Sequence, residues 1–95
     1  VLVNDGTFSS ATMLAVWVQD GKLGRVVGYP SANAPTSFGD ILNYTLPRTG
    51  VEVIMSHKQF QRPDANADQT MLTPDVFVPY CEDALEAALA LLGAS

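Results

Sequence analysis

The first third of the chain alternates between short apolar runs and a helical pattern. Val1–Asn4 is an apolar run closed by a glycine turn, which predicts a buried strand. From Ser9 to Asp20 apolar residues recur at the spacing of a helix, and Gly21 ends that pattern. Arg25–Gly28 is a second short apolar run. Together these segments predict a βαβ unit with parallel strands and a right-handed crossover.

The predicted helix carries apolar residues on two sides. One stripe consists of Ala11, Leu14, Ala15 and Val18, and a second of Met13, Val16 and Trp17. A helix that is apolar nearly all round is normally buried on more than one face. Because a chain of 95 residues has little material to cover two faces, we expect one face to await a partner. Thr7 or Ser9 is expected to cap the helix N-terminus.

The middle of the chain predicts a β-hairpin. Tyr29–Gly39 is rich in turn residues and is predicted to be a loop. Asp40–Leu46 and Val51–Lys58 then alternate with a period of two and are joined by a short turn. We therefore expect two antiparallel strands after the βαβ unit.

The last third predicts an irregular stretch and a terminal helix. Prolines interrupt Gln59–Pro79, and its polar part, Asp64–Gln69, is predicted to be a mobile loop. Glu82–Leu92 has the pattern of an amphipathic helix. Its buried stripe is expected to consist of Leu85, Ala88, Leu89 and Leu92. The whole pattern is that of an α/β fold.

Composition limits the classes of function. The 95 residues suffice for one small domain, and 47% hydrophobic with only 16% charged residues excludes a disordered tail. The formal net charge is −5 and the few basic residues are scattered, which argues against a nucleic-acid partner. No apolar run approaches the roughly 18 residues of a membrane span. Because the sequence begins at Val1, inside a predicted strand, we expect it to be a processed product or part of something larger.

The strongest candidate for chemistry is the junction between the first strand and the helix. Thr7, Ser9 and Ser10 lie where the first-turn amides of a helix lack partners and where the helix dipole is positive. If Ser9 is a nucleophile, the Ser10 amide is the natural donor to an oxyanion. The alternative is that these residues only cap the helix, and the local pattern taken by itself favours that alternative.

The other side chains that could take part in chemistry are weaker candidates for a functional site. His57, the sole histidine, lies on a predicted strand and is more typical of a packing residue than of a base. Cys81 is interpreted as a small buried residue at the entrance of the last helix, and a single cysteine excludes an internal disulfide. The acidic residues Glu82, Asp83 and Glu86 are interpreted as one solvated face. No cofactor, metal or nucleotide site is predicted.

A set of short blocks along the chain resembles the tail-specific, or carboxy-terminal-processing, serine peptidases. The blocks are Val-Leu-Val-Asn at 1–4, Thr-Phe-Ser-Ser-Ala at 7–11, Gln19-Asp20-Gly21, Val26-Val27-Gly28, Phe38-Gly39-Asp40, Leu46-Pro47, Arg62-Pro63-Asp64 and Thr73-Pro74-Asp75-Val76. No single block is specific, but their order and spacing resemble the family over essentially the whole chain.

The resemblance implies a crotonase-like (ClpP-like) core in which a serine at a helix N-terminus attacks a peptide carbonyl. Ser9 matches the family's nucleophile, with Ser10 as the fallback. Thr12 matches the acidic position of the usual Ser-Ala-Ser-Glu block, and Asp20 matches an aspartate that we interpret as structural. The chain, residues 1–95, would then be the C-terminal portion of a catalytic domain, incomplete by itself.

The sequence departs from the family at the general base. Where the family's usual members have a lysine about 25 residues after the serine, this chain has Ala34. It therefore resembles more closely the subset that includes the tricorn core peptidase, in which an upstream histidine is the base. The resemblance thus implies a peptide substrate, an upstream half of the same domain as partner, and a location in the cell envelope or outside the cell.

Two other functions stay open at this point. The chain could be a non-catalytic interaction or assembly module, or an inactive piece of a peptidase, and a homo-oligomer is left open. Another crotonase-like enzyme acting on an acyl thioester fits less well, because the downstream blocks and hairpin resemble the peptidases.

Overall fold

The computed structural model describes residues 1–93 and shows a small mixed α/β fold. Its elements are β1 (Leu2–Val3), α1 (Ser10–Asp20), β2 (Val27–Gly28), β3 (Ser37–Thr45), β4 (Glu52–Phe60), β5 (Val76–Phe77) and α2 (Ala84–Leu91). The predicted order of strand, helix, strand, hairpin and helix is confirmed. The strands of the βαβ unit are shorter than predicted, and those of the hairpin extend further.

The βαβ unit belongs to a three-stranded parallel sheet in the order β1-β2-β5. Leu2 pairs with Val27 and Val27 with Val76, so the three strands run side by side in one direction. The parallel pairing of the first two strands is confirmed. The third strand lies in a segment that was predicted to be extended but irregular; it was missed because a two-residue strand that follows Pro74 has no periodic pattern.

Helix α1 covers the sheet with a different face from the predicted one. Its buried residues are Thr12, Ala15 and Val16. Of the predicted stripes, Leu14 is 54% exposed and Trp17 is 53% exposed. Strands β1 and β2 are each only two residues long, so the sheet covers only a narrow strip of the helix. The core cluster consists of Val3, Ala15, Val16, Val26 and Leu72.

The parallel strands approach each other at a glycine. Gly28 has a φ of 139°, and a Cβ atom there would lie 1.9 Å from the carbonyl oxygen of Val3. Such a separation is far inside contact distance, so only glycine fits at this point of the sheet.

The hairpin of β3 and β4 projects away from the rest of the molecule. Its strands pair antiparallel from Ser37 opposite Phe60 to Thr45 opposite Glu52, with a break at Asp40, whose φ is 54°. All residues from 40 to 52 are exposed. The radius of gyration is therefore 17.0 Å, against about 12.4 Å for a compact chain of this length.

Helix α2 lies against β1 and β2 with its alanine side. Asp83 caps it by accepting from the amides of Leu85 and Glu86 at 2.8 and 3.4 Å. The predicted buried stripe is wrong, since Leu85, Leu89 and Leu92 are 53%, 41% and 79% exposed. Two-residue strands present too little surface to cover leucines as well as alanines.

The structure differs from two further predictions about the last third of the chain. Cys81 is exposed, not buried, because it lies in the turn that leads into α2. The segment Asp64–Gln69, predicted to be a mobile loop, is held by hydrogen bonds: the Asp64 amide donates to Asp20 at 3.1 Å, and the Asp68 carbonyl accepts from Arg62 at 2.9 Å.

Candidate functional site

A compact turn carries the chain from β1 to the N-terminus of α1. The Thr7 amide donates to the Asn4 carbonyl at 3.0 Å, and the Asn4 amide donates to the Thr7 hydroxyl at 3.0 Å. The Asn4 side chain accepts from the Gly6 amide at 2.8 Å, which is an Asx turn. Thr7 is thereby used to close the turn and does not cap the helix.

Ser9 occupies the last position before the helix with a strained backbone. Its φ and ψ are 56° and −121°. A non-glycine residue in such a region costs on the order of 1–3 kcal/mol and is concentrated at functional sites. In esterases and lipases, a strained serine at a sharp strand-to-helix turn presents its hydroxyl as a nucleophile. Ser9 likewise combines a strained backbone with a position at a strand-to-helix turn.

The Ser9 side chain does not cap the helix, although that was one of the sequence-based interpretations. No hydrogen bond from its hydroxyl to a first-turn amide is formed. Ser9 is exposed, as is Ser10. The hydroxyl of Ser9 is therefore left open to solvent at the positive end of an 11-residue helix.

The side chain of Asn33 holds Ser9 in position. Its Oδ1 accepts from the Ser9 amide at 2.9 Å and from the Thr12 hydroxyl at 2.7 Å. The Thr12 hydroxyl also lies 3.3 Å from the Thr7 carbonyl, which accepts from the Ala32 amide at 2.8 Å. Thr12 is buried. These bonds tie the junction to the loop after β2.

The amide of Ser10 is available as a donor. The Ser9 amide is occupied by Asn33, and the Ala11 amide donates to the Phe8 carbonyl at 3.2 Å. The Ser10 amide makes no hydrogen bond to the part of the chain that the structure describes. It adjoins the Ser9 hydroxyl along the chain, so a negatively charged oxygen beside Ser9 could accept from it.

A cavity lies on the β1 side of this junction; Thr7 lines it, whereas Ser9 and Ser10 do not. It has a volume of about 560 Å³, within the usual range of ligand pockets, about 300–1,000 Å³. Its walls include Asn4 and Thr7 after β1, Tyr29 after β2, and Tyr80 after β5. It is therefore at the carboxyl ends of all three parallel strands, where open α/β sheets bind ligands.

The described residues bring no general base to Ser9. No side chain between positions 1 and 93 hydrogen-bonds to the Ser9 hydroxyl. His57 is on the hairpin, where its Nδ1 lies against the Asp40 carbonyl. Lys58 forms an ion pair with Asp40 at 2.6 Å, and this hydrogen bond holds the pKa of Asp40 below its ordinary value. Both basic groups are thus engaged within the hairpin.

A second polar cluster lies at the other end of α1. Arg62 donates from Nε to both carboxylate oxygens of Asp20, at 3.1 and 3.0 Å, and from Nη2 at 2.9 Å. The two side chains are only 5% and 4% exposed. Burial acts to raise the pKa of Asp20, but the hydrogen bonds and charge of Arg62, with the Asp64 amide, outweigh it and lower that pKa.

This cluster connects segments that are distant in sequence. Gln19 accepts from Arg62 at 2.6 Å and donates to the Thr73 carbonyl at 2.9 Å. Asp75 accepts from the Val26 amide at 2.7 Å. The interpretation of Asp20 as a structural residue agrees with these contacts.

Asn33 is the residue that sequence reasoning missed at the site. It was placed only among the turn residues of the loop after β2. A side chain that bonds across 24 positions of sequence leaves no periodic signal, so only the fold reveals it.

Among residues 1–93 there is no group of three or more His, Cys, Asp or Glu side chains that could hold a metal ion. Within the same range, none of the helices has the length and apolar character needed to cross a membrane. No protein-family model, no curated protein and no solved structure matches this chain.

Proposed function

We propose that this chain is the nucleophile-bearing part of a serine peptidase of the tail-specific type, with a crotonase-like catalytic domain. The observation that carries the proposal is the strained Ser9, with an open hydroxyl at a helix N-terminus. A residue used only as a cap would form the cap bond and would not need a strained conformation.

In the proposed reaction the Ser9 hydroxyl oxygen attacks the carbonyl carbon of a peptide bond. Its proton passes to a general base, and the carbonyl oxygen becomes an oxyanion that accepts from the Ser10 amide. The C–N bond then breaks, the amine leaves with a proton from the protonated base, and an ester to Ser9 remains. Water hydrolyses this ester and restores the hydroxyl.

The polar contacts around Ser9 serve to position it. Asn33 holds the Ser9 amide and the buried Thr12 hydroxyl, so the first turn of the helix is fixed before substrate binds. A prearranged donor and nucleophile avoid reorganisation during the reaction. The adjoining cavity is the proposed binding site of the peptide.

The base in this proposal comes from a polypeptide segment outside these residues. Ala34 stands where the family's usual lysine would be, and His57 is engaged with Asp40. The chain by itself is therefore expected to have little or no activity. The family's usual location, in the cell envelope or outside the cell, is part of the proposal.

The spatial arrangement of the resembling blocks supports the family assignment. The blocks that contain Asp20, Arg62 and Asp75 meet in one hydrogen-bonded cluster with Gln19.

The test is covalent labelling of the entire gene product with a fluorophosphonate probe. We expect labelling at Ser9, its complete loss in Ser9→Ala, and its retention in the neighbouring control Ser10→Ala. Loss in Ser10→Ala with retention in Ser9→Ala would move the nucleophile by one residue. No labelling of a folded product would contradict the proposal.

A non-catalytic assembly module is the second candidate function. The observation that favours it is the large number of exposed apolar side chains, including Phe8, Trp17 and Leu23 at 64%, 53% and 79% exposure. Extensive apolar exposure of this kind marks interaction surfaces.

A further inference from the structure

The cavity at the carboxyl ends of the parallel strands has acidic side chains in its wall. Asp5 lies in the turn after β1, and Glu82 and Asp83 lie in the turn before α2. All three line the cavity. Asp83 is engaged as the helix cap. The ion pairs formed between residues 1 and 93 use Asp20 and Asp40, so the carboxylates of Asp5 and Glu82 reach the cavity from separate elements with their charges unpaired there.

The ends of α2 and the positions of the basic residues do not explain this charge. Acidic residues are favoured at a helix N-terminus, which accounts for Glu82 and Asp83. It does not account for Asp5, which follows a strand. Among residues 1–93, no Lys, Arg or His side chain lines the cavity. Lys22 and Arg25 precede β2 and therefore lie toward the opposite edge of the sheet. A wall of one sign attracts a ligand of the other sign.

Two tyrosine rings form a corner in the same wall. Tyr29 and Tyr80 both line the cavity, with ring centroids 5.8 Å apart and ring planes at 73° to each other. The Tyr29 ring also packs against Phe77 at a centroid distance of 5.7 Å. Tyr80 is 71% exposed, so its ring is open to a ligand. Aromatic rings attract cations to their faces, and sites for ammonium groups are built from such rings. The rings thus indicate the same ligand charge as the carboxylates.

The rest of the wall suits an apolar stem. It includes the apolar side chains of Val3, Val78, Pro79 and Leu85. A volume of about 560 Å³ is far more than a bare ammonium group fills. Lysine and arginine side chains combine an aliphatic stem with a cationic head, and this combination matches an apolar wall with carboxylates and tyrosines.

We propose that this cavity binds a basic side chain, lysine or arginine, of the peptide substrate. The cationic character of the ligand follows from the cavity, whereas its being part of a peptide rests on the proposed function. Thr7 lines the cavity and Ser9 does not. The cavity therefore takes a side chain of the substrate, and the bond that is cut lies outside it, at Ser9.

The test is isothermal titration calorimetry on the entire gene product carrying Ser9→Ala, which prevents turnover. The ligands are the blocked peptide acetyl-Ala-Ala-Lys-Ala-Ala-amide and its norleucine counterpart, which lacks only the ammonium group. We expect the lysine peptide to bind at least about tenfold more tightly. Asp5→Asn and Glu82→Gln should each raise its Kd about threefold. The matched control is Glu86→Gln, the same change of charge at an exposed residue of α2 that does not line the cavity.

The outcomes separate this proposal from the peptidase function. Equal affinity for the two peptides, or binding of neither, would overturn the cationic site. Equal weakening by Glu82→Gln and Glu86→Gln would mean that net charge attracts the peptide, and would also overturn it. Because the measurement needs no nucleophile, lysine-selective binding that is lost with Asp5 and Glu82 supports the site by itself. The same result in a product that a fluorophosphonate does not label would support the site and contradict the peptidase function.

Discussion

At Ser9, the roles of helix cap and nucleophile predict different effects of Ser9→Ala on stability. A capping hydroxyl stabilises its helix by about 1 kcal/mol, and the loss appears when the residue becomes alanine. The structure shows no cap bond from Ser9. Its backbone conformation instead costs energy, with a φ of 56°.

We therefore predict that Ser9→Ala leaves the free energy of unfolding within about 0.5 kcal/mol of the wild type, because no side-chain bond is lost. Ser9→Gly is expected to stabilise the chain by about 1 kcal/mol, since glycine accepts a positive φ without strain. Urea denaturation followed by circular dichroism measures both values. A loss of about 1 kcal/mol in Ser9→Ala would instead assign the hydroxyl a capping role.

The candidate site was only partly predictable from sequence. Ser9 and the amide of Ser10 could be placed at the junction because strand, turn and helix follow one another within a few residues. The support from Asn33 could not be predicted, since its bond to the Ser9 amide depends on how the loop after β2 returns to the helix. Thr12 was matched to an acidic position, and its buried hydroxyl bonds to Asn33 instead.

At the scale of elements, strong local patterns predicted both helices and the hairpin. Their burial was predicted poorly. The leucines of α2 form a regular stripe, yet Leu85 and Leu89 remain exposed, because burial depends on the size of the sheet beneath. The third parallel strand, Val76–Phe77, exists only through its pairing with β2. Two residues are too few for a periodic signal.

The contact between β1 and β2 provides a sharp test of the parallel sheet. We predict that Gly28→Ala destabilises the chain by at least about 3 kcal/mol, because its Cβ would meet the Val3 carbonyl oxygen at 1.9 Å. The matched control is Gly24→Ala, whose Cβ would lie 3.5 Å from Val18 Cγ1, an ordinary contact. Thermal or urea unfolding compares the two. Equal stability of both variants would contradict the pairing of β1 with β2.

At the scale of the whole molecule, the chain divides into a packed part and a projecting part. The core around Leu72 and Val26 is small, and hydrogen bonds and an ion pair lie at its edge. Arg62 is the centre of these contacts, since it joins the end of α1 to the chain that leaves the hairpin. Leu14 and Trp17 are exposed, so one apolar face of α1 is uncovered, and a partner for that face stays a prediction.

The buried pair of Asp20 and Arg62 should make stability depend on pH in the acid range. Because the folded-state pKa of Asp20 lies below its ordinary value of 3.8, the pair stabilises the fold fully above that value. The contribution is lost as the pH falls through the lower folded-state pKa. Asparagine resembles the protonated carboxyl, so Asp20→Asn should lack this contribution at every pH.

We therefore predict that Asp20→Asn loses about 1–3 kcal/mol at neutral pH, where it leaves the buried Arg62 without its charged hydrogen-bond partner. The difference from the wild type should stay constant down to about pH 5 and shrink as the pH falls below 3.8. Urea unfolding at a series of pH values measures it, with Asp5→Asn as a control for the same change of charge at an exposed residue. A difference that persisted unchanged to pH 2 would mean that Asp20 acts through its shape and not through its charge.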